Sequence, residues 1–436
     1  MSTPTSWVGT ANEPNSGFPL ESLPYCAFTT TPDATPHLGV GIGAFILDLH
    51  HLQSNHLLDT LPADLQQACT TPTLNALMRC GRAAWSALRQ RLTELLQTVT
   101  PRQTDQQRLV ASLMLAQAKA IFHKPVATEN YTDFYASLHH ATNVGKLFRP
   151  DAPLLPNYPW LPIGYHGRAS SLVISGTPIR RPHGQIKLTD PTPVFQPTNQ
   201  LDYELEVAAY IGTGNPLGTP IPIADAPAHL FGLSLLNDWS ARDIQSWEYQ
   251  PLGPFLGKSF ATSLSPWVIP AEALTPYRTP LAPRPSTQPA PLPYLADPAS
   301  DSTAAIDLQL EVFLSTARMR QEQQAPVRLS AGNLRSLYWS FAQMIAHHAS
   351  NGCNLLAGDL IASGTVSGSQ SGSQGCLLEI TRRGASPLSL PNGEIRAFLE
   401  DGDEVILRGF CQADGFPRIS LGECRGTILP ARSQPA

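Results

Sequence analysis

The 436-residue chain sets 29 Lys and Arg against 34 Asp and Glu, a formal net charge of −5. That balance carries neither the basic stripe that binds phosphate backbones nor the polybasic surface that binds anionic membranes, so nucleic acid and membrane are excluded as expected partners. Only 14% of residues are charged, against roughly 25% in ordinary domains, while Pro numbers 42 and Gly 31, which favours short strands and many turns over long solvated helices.

At the N-terminus, MSTPTSWVGTANEPNSGF has no basic start and no apolar signal core, and no stretch reaches the ~18 apolar residues of a membrane helix. Seven scattered cysteines without a CxxC pair predict reduced thiols and a cytoplasmic location. Residues 24–50 form two β-like runs around a Thr/Pro/Asp turn. The glycines of GVGIGA superficially suggest a nucleotide loop, but AFILDL continues as a strand instead of opening a helix, so the dinucleotide context fails. Apolar positions at helical spacing predict helices over 73–98 and 105–122, covering a small N-terminal β unit of residues 1–120.

Residues 121–436 have a different texture. Strand-like runs (SLVISG, YELEVAAYI, SPWVIP, IDLQLEVFLS, LIASGTV, CLLEIT, EVILRGFC) alternate with Pro, Gly, Asn and Asp turns, with helical interruptions around 238–247 and 333–350. The pattern predicts a mainly β fold with some α, a roll or sandwich and not a doubly wound parallel sheet. The proline-rich 273–303 segment reads as an extended surface excursion without chemistry.

Three clusters carry candidate chemistry. In LDYELEV, from Leu201, side chains at i and i+2 share a strand face, so Glu204 and Glu206 point the same way. A solvated outer face explains an isolated ExE equally well; a cation explains it if further acids join. In LLNDWSARDIQSWEY, a helix starting near Asp238 places Asp238, Arg242, Gln245 and Tyr249 on one stripe. An N-cap Asp238 paired with Arg242 accounts for two of these but leaves Gln245 and Tyr249 unexplained. In YTDFYASLHHATNVGKLFR, Asp133 and Tyr135 share a strand face, His140 follows five residues on and Arg149 closes the segment. A lone histidine is more often structural than catalytic, but an acid, a phenol and an arginine accompany this one. Asp133, Glu204, Glu206 and Asp238 are compatible with an all-oxygen site, whose hard donors favour Ca²⁺ or Mg²⁺ over zinc.

The phrases YTDFYASLHHATNVGKLFRP, LPIGYHGRASSLVISGTPIRRPHGQ, LDYELEVA, LLNDWSARDIQSWEYQPLGPFLGKSFATSLSPWV, HHASNGCNLLAGDLIASGTVSG and DGDEVILRGFCQ resemble, in order and near-family spacing, the fumarylacetoacetate hydrolase family. The likeness spans about residues 17–430. It implies a small SH3-like N-terminal β-barrel, a larger C-terminal β-roll of the fumarylacetoacetate hydrolase type, and a homodimer. It assigns Ca²⁺ to Asp133, Glu204, Glu206 and Asp238, and associates Asp238, Lys258 and Thr262 with Mg²⁺, Lys258 through its backbone carbonyl because an ammonium cannot ligate. His140 falls on the general-base position, its neighbour His139 does not, and Glu379 in GCLLEI matches the carboxylate that orients the base.

The same resemblance makes Arg242, Gln245 and Lys258 oxyanion donors, with Lys258 also the proton source for the departing carbanion. Tyr135, Arg149, Tyr165, Gln245, Tyr249 and Thr365 match substrate-contacting positions. The implied substrate is a small diketo acid, 4-fumarylacetoacetate of tyrosine and phenylalanine catabolism, cleaved at a carbon–carbon bond. An acylpyruvate or other β-diketone hydrolase on the same scaffold is the alternative; a calcium-binding structural protein would require neither His140 nor Glu379. Two departures from the family pattern are the Ser/Gly-rich 367–375 run and the second histidine, His139.

Overall fold

The computed structural model describes residues 5–98, 104–299 and 301–433. Near the N-terminus, strands Tyr25–Thr29, His37–Ile42, Phe45–Asp48, Met114–Ala116 and Ile121–His123 form one antiparallel five-stranded sheet. Its cover includes the helix Arg82–Leu96, which buries Trp85, Leu88, Leu92, Leu95 and Leu96 along one stripe. The helix predicted over 105–122 is shorter. Thr104 and Gln107 form a capping box at its start, and it ends at Ser112. The next residues instead pair with the sheet, Ala116 opposite Phe45 and Phe122 opposite Phe28, so strand pairing overrides helical propensity there.

The second part of the chain is built on an eight-stranded sheet. Its central path runs Gly164–His166, Tyr131–Phe134, Leu360–Ala362, Leu205–Ile211, Leu230–Asp238, Thr262–Leu264 and Leu172–Ile174. Leu205–Ile211 is buried throughout, and its two faces serve two cores. Leu205, Val207, Ala209 and Ile211 face a core shared with Leu308–Ser315 and Glu404–Ala413 of a second, five-stranded sheet. Ala208 and Tyr210 face the opposite way and share a core with the N-terminal sheet and its helices. The period-2 alternation of one strand thereby joins both parts of the molecule.

Two local expectations change. Asp238 ends a nine-residue strand, and the helix begins only at Arg242. CLLEIT is not a strand: Leu377–Ile380 is a single helical turn. The 273–303 segment is mostly exposed, as expected of a surface excursion, and is anchored by buried Leu274, Tyr277 and Leu295 and by the Arg284 guanidinium over the rings of Tyr338 and Trp339, 4.1 and 4.3 Å from their centroids.

Candidate active site

Sheet register assembles the acids. Asp133 lies opposite Tyr165 on one side and Ala362 on the other, Glu206 lies opposite Leu236, and Asp238 lies opposite Thr262. Glu204 is just outside the Leu205–Ile211 strand, yet its carboxylate joins the others. The result is four buried acids, Asp133, Glu204, Glu206 and Asp238, with one carboxylate oxygen of each within 4.8 Å of the others.

Like charges so close require compensation. Lys258 donates to Glu204 and, at 2.8 Å, to Asp238. The Tyr165 hydroxyl lies 3.0 Å from both Asp133 Oδ2 and Asp238 Oδ2, and Thr262 donates to Asp238 Oδ1 at 2.7 Å. Burial, helped by both acids, pushes the Tyr165 phenol well up, so it stays a donor. Arg242 donates through Nε to Asp202 at 2.9 Å and through Nη1 to Glu204 at 2.7 Å. Burial disfavours the charge on Glu204, but Lys258 and Arg242 outweigh it and hold this carboxyl below its usual range. Burial and the neighbouring acids instead push Asp133 and Glu206 well above theirs.

The donor set fits a hard divalent cation. Asp133 Oδ1 and Glu206 Oε1 are buried with no hydrogen-bond partner, a costly state for carboxylate oxygens that a cation would relieve. The ligands are all oxygen, as Ca²⁺ and Mg²⁺ prefer. Asp238 also meets Thr262 and Lys258, the lysine through its ammonium, which cannot itself ligate.

Beside this cluster, Ser137 caps the helix Leu138–Phe148 and places His140 in its first turn. His140 Nδ1 lies 2.7 Å from Glu379 Oε1, and the His140 ring is near enough for its charge to act on Glu204. Glu379 also accepts from Ser367 at 2.7 Å and from Asn143 at 2.8 Å. Against the burial that raises it, His140 and these hydrogen bonds hold the Glu379 carboxyl at about 2. An ionised carboxylate only accepts, so Nδ1 is the donor of this pair, and in the neutral imidazole Nε2 presents the lone pair.

The remaining predicted residues divide. The Tyr135 ring meets His140 edge-on at 5.3 Å. Thr365 follows Gly364, whose N–H donates to Glu206 at 3.1 Å, and its buried hydroxyl has no partner. Arg149 ends the His140 helix with its Nε buried and unpartnered. Gln245 turns its carbonyl oxygen to Arg242 at 3.2 Å. Among the described residues no hydrogen bond or ion pair joins Tyr249 to the cluster; it caps the helix Arg242–Glu248, and Gln250 donates to its hydroxyl. Arg242 does not pair with Asp238, contrary to the simple i,i+4 reading: the chain turns between strand and helix, and Arg242 reaches Asp202 and Glu204 instead.

Asp202 was missed as a site residue. It holds Arg242 and also accepts from the Leu377 and Leu378 N–H groups, at 2.8 and 2.9 Å, that open the turn bearing Glu379. The signal was available, since Asp202, Glu204 and Glu206 have the same parity. Asn143, three residues after His140 on one helix, carried a similar signal. Ser367, from the Ser/Gly-rich run, became visible only through its contact with Glu379.

The fold is that of solved fumarylacetoacetate hydrolase-type structures. The chain superposes on a fumarylacetoacetate hydrolase from the psychrophile Exiguobacterium antarcticum with a TM-score of 0.50 and 19% identity, covering 94% of this chain and 100% of that one. Residues 129–429 match the fumarylacetoacetate hydrolase C-terminal family model, and residues 21–125 match the fumarylacetoacetase N-terminal model. The chain belongs to the fumarylacetoacetase family. It is 48% identical to the human fumarylacetoacetase over 96% of this chain and 97% of that protein, and 44% identical to the Arabidopsis thaliana fumarylacetoacetase over the same shares.

Proposed function

We infer that this chain hydrolyses the carbon–carbon bond of 4-fumarylacetoacetate, giving fumarate and acetoacetate, and that it does so with a divalent cation. The observation that carries the reading is the His140–Glu379 pair at 2.7 Å beside a cluster of four buried carboxylates. Mere metal binding has no use for that pair. Near-full-length similarity to fumarylacetoacetases favours this diketo acid over an acylpyruvate.

Two difficulties define the reaction. Water is a weak nucleophile, and the group that departs is a carbanion. His140 Nε2 takes a proton from water as the oxygen attacks the carbonyl carbon, while Glu379 fixes the tautomer and stabilises the imidazolium that forms. The Nη2 of Arg242 is buried and has no partner, so this guanidinium arm and the Gln245 amide are suited to donate to the developing oxyanion. The Lys258 ammonium, flanked by Glu204 and Asp238, donates to the same charge and supplies the proton that quenches the departing carbon.

Asp133, Glu204, Glu206 and Asp238 would hold Ca²⁺, with Mg²⁺ associated with Asp238, Thr262 and Lys258; such a cation supplies Lewis-acid stabilisation of enolate oxygens. Arg149, with its fork geometry, is suited to the substrate carboxylate. Tyr135, Tyr165, Tyr249 and Thr365 complete the substrate contacts in this reading, and a homodimer in the cytoplasm is the expected setting.

The test is direct. Chelator-treated protein is mixed with fumarylacetoacetate, Ca²⁺ or Mg²⁺ is restored, and loss of diketone absorbance and formation of both products are followed. Metal-restored turnover to fumarate and acetoacetate is expected. Turnover of an acylpyruvate alone, or of neither substrate, would sink the assignment.

A further inference from the structure

A second group of ligating side chains lies in the N-terminal sheet. His37 opens the strand His37–Ile42, Asp48 ends the strand Phe45–Asp48, and His51 lies in the first turn of the helix Leu49–Ser54. His37 Nδ1 is 2.8 Å and His51 Nδ1 is 3.1 Å from the same Asp48 oxygen, Oδ2. All three ligand atoms fall within 4.8 Å of one another. His50 stacks on His37 with ring centroids 4.4 Å apart, so two imidazoles meet one carboxylate and a third packs behind one of them.

We propose that His37, Asp48 and His51 form a binding site for a borderline divalent transition ion of the Zn²⁺ class, separate from the carboxylate cluster and different in chemistry. Zn²⁺ takes imidazole nitrogen and carboxylate oxygen in a tetrahedron, with bonds of about 2.0–2.2 Å, which places neighbouring ligand atoms about 3.4 Å apart. To reach that spacing the nitrogens move back from Asp48 by about 0.6 Å for His37 and about 0.3 Å for His51. Water would complete the tetrahedron.

The site is preorganised where it must be and open where it must be. Asp48 is buried, its side chain 7% exposed, and its other oxygen caps the helix by accepting from the His51 N–H at 3.0 Å. Its carboxylate is therefore fixed before any ion arrives. The side chains of His37 and His51 are 31% and 53% exposed, which gives an ion a path in and lets both rings adjust. The ligands come from two strands and the following helix, so a bound ion would staple the hairpin to that helix. The two sites would also sort ions: two imidazoles select Zn²⁺, Ni²⁺ or Cu²⁺, whereas an all-oxygen cluster selects Ca²⁺ or Mg²⁺.

The test is a calorimetric titration of the full chain with Zn²⁺ in excess Ca²⁺ and Mg²⁺, followed by Co²⁺ substitution. One Zn²⁺ per chain is expected at this site, with the visible absorption of tetrahedral Co²⁺ and a raised melting temperature. The double variant His37→Ala/His51→Ala should bind at least about 100-fold more weakly and lose the Co²⁺ band, with turnover of the carboxylate site unchanged. Asp48→Asn keeps a good helix cap while removing the anionic ligand, so it separates metal loss from misfolding and should also weaken binding. Because His140, Cys376 and Glu379 form another ligating group, His140→Ala is the control and should retain the Zn²⁺ site. Unchanged Zn²⁺ affinity in the His37/His51 variant, loss of binding in His140→Ala, or no Zn²⁺ binding by the wild type would overturn the proposal.

Discussion

His140 Nδ1 stands 2.7 Å from Glu379 Oε1, although the two are 239 positions apart in sequence and one lies in the first turn of a helix of about three turns while the other sits on a single helical turn. Neither position is free to drift. Ser137 caps the His140 helix, and Asp202 holds the first N–H groups of the Glu379 turn.

Glu379→Gln removes the charge and keeps the shape. In the proposed mechanism it should lower kcat by roughly 10²-fold or more with little change in KM, because the orienting group acts on the base and not on substrate. Steady-state kinetics check this, and an unchanged kcat would assign Glu379 a merely structural role.

The same carboxylate couples stability to pH. Its folded value of about 2 lies below the ordinary 4.5, so its contribution, on the order of 3 kcal/mol, is fully present above pH 4.5 and is lost as pH falls through 2. Urea unfolding of the wild type and Glu379→Gln should show a stability gap that narrows over that window. A constant gap would mean that shape, not charge, sets the difference.

Arg242→Ala leaves Asp202 and Glu204 buried without their guanidinium partner. Removing one member of a buried ion pair typically costs about 3–5 kcal/mol, so the unfolding midpoint in urea should fall sharply. Arg242→Lys should recover part of this, because one ammonium cannot serve both acids with the fork geometry. Equal stability of the Lys variant and wild type would contradict the two-acid role.

Gly364 sits at φ +72°, and a Cβ there would lie 2.0 Å from the Phe134 carbonyl oxygen. Gly364→Ala should therefore cost at least about 1–3 kcal/mol from backbone strain alone. Because the Gly364 N–H holds Glu206, cation affinity should fall with stability. Thermal melts and a Ca²⁺ titration of the same variant measure the two losses together.

The sequence by itself determined the mainly β character and put Glu204 and Glu206 on one face, because strand parity is a local feature, whereas Asp133 and Asp238 were only compatible with them and Glu379 followed from resemblance to the family. Parity also extended to Asp202, which shares the alternation of Glu204 and Glu206 and was legible there. What only the tertiary structure decided was pairing. Arg242 faces Asp202 and Glu204 and not Asp238, because a strand end and a turn replace the expected helix start. Residues 114–116 left the helical pattern because the edge of a sheet offered them hydrogen bonds. The close approach of His37, Asp48 and His51 likewise depends on how a hairpin registers and where a helix begins. Side-chain periodicity states which way a residue points; the register between distant strands states what it meets, and that is a property of the packed whole.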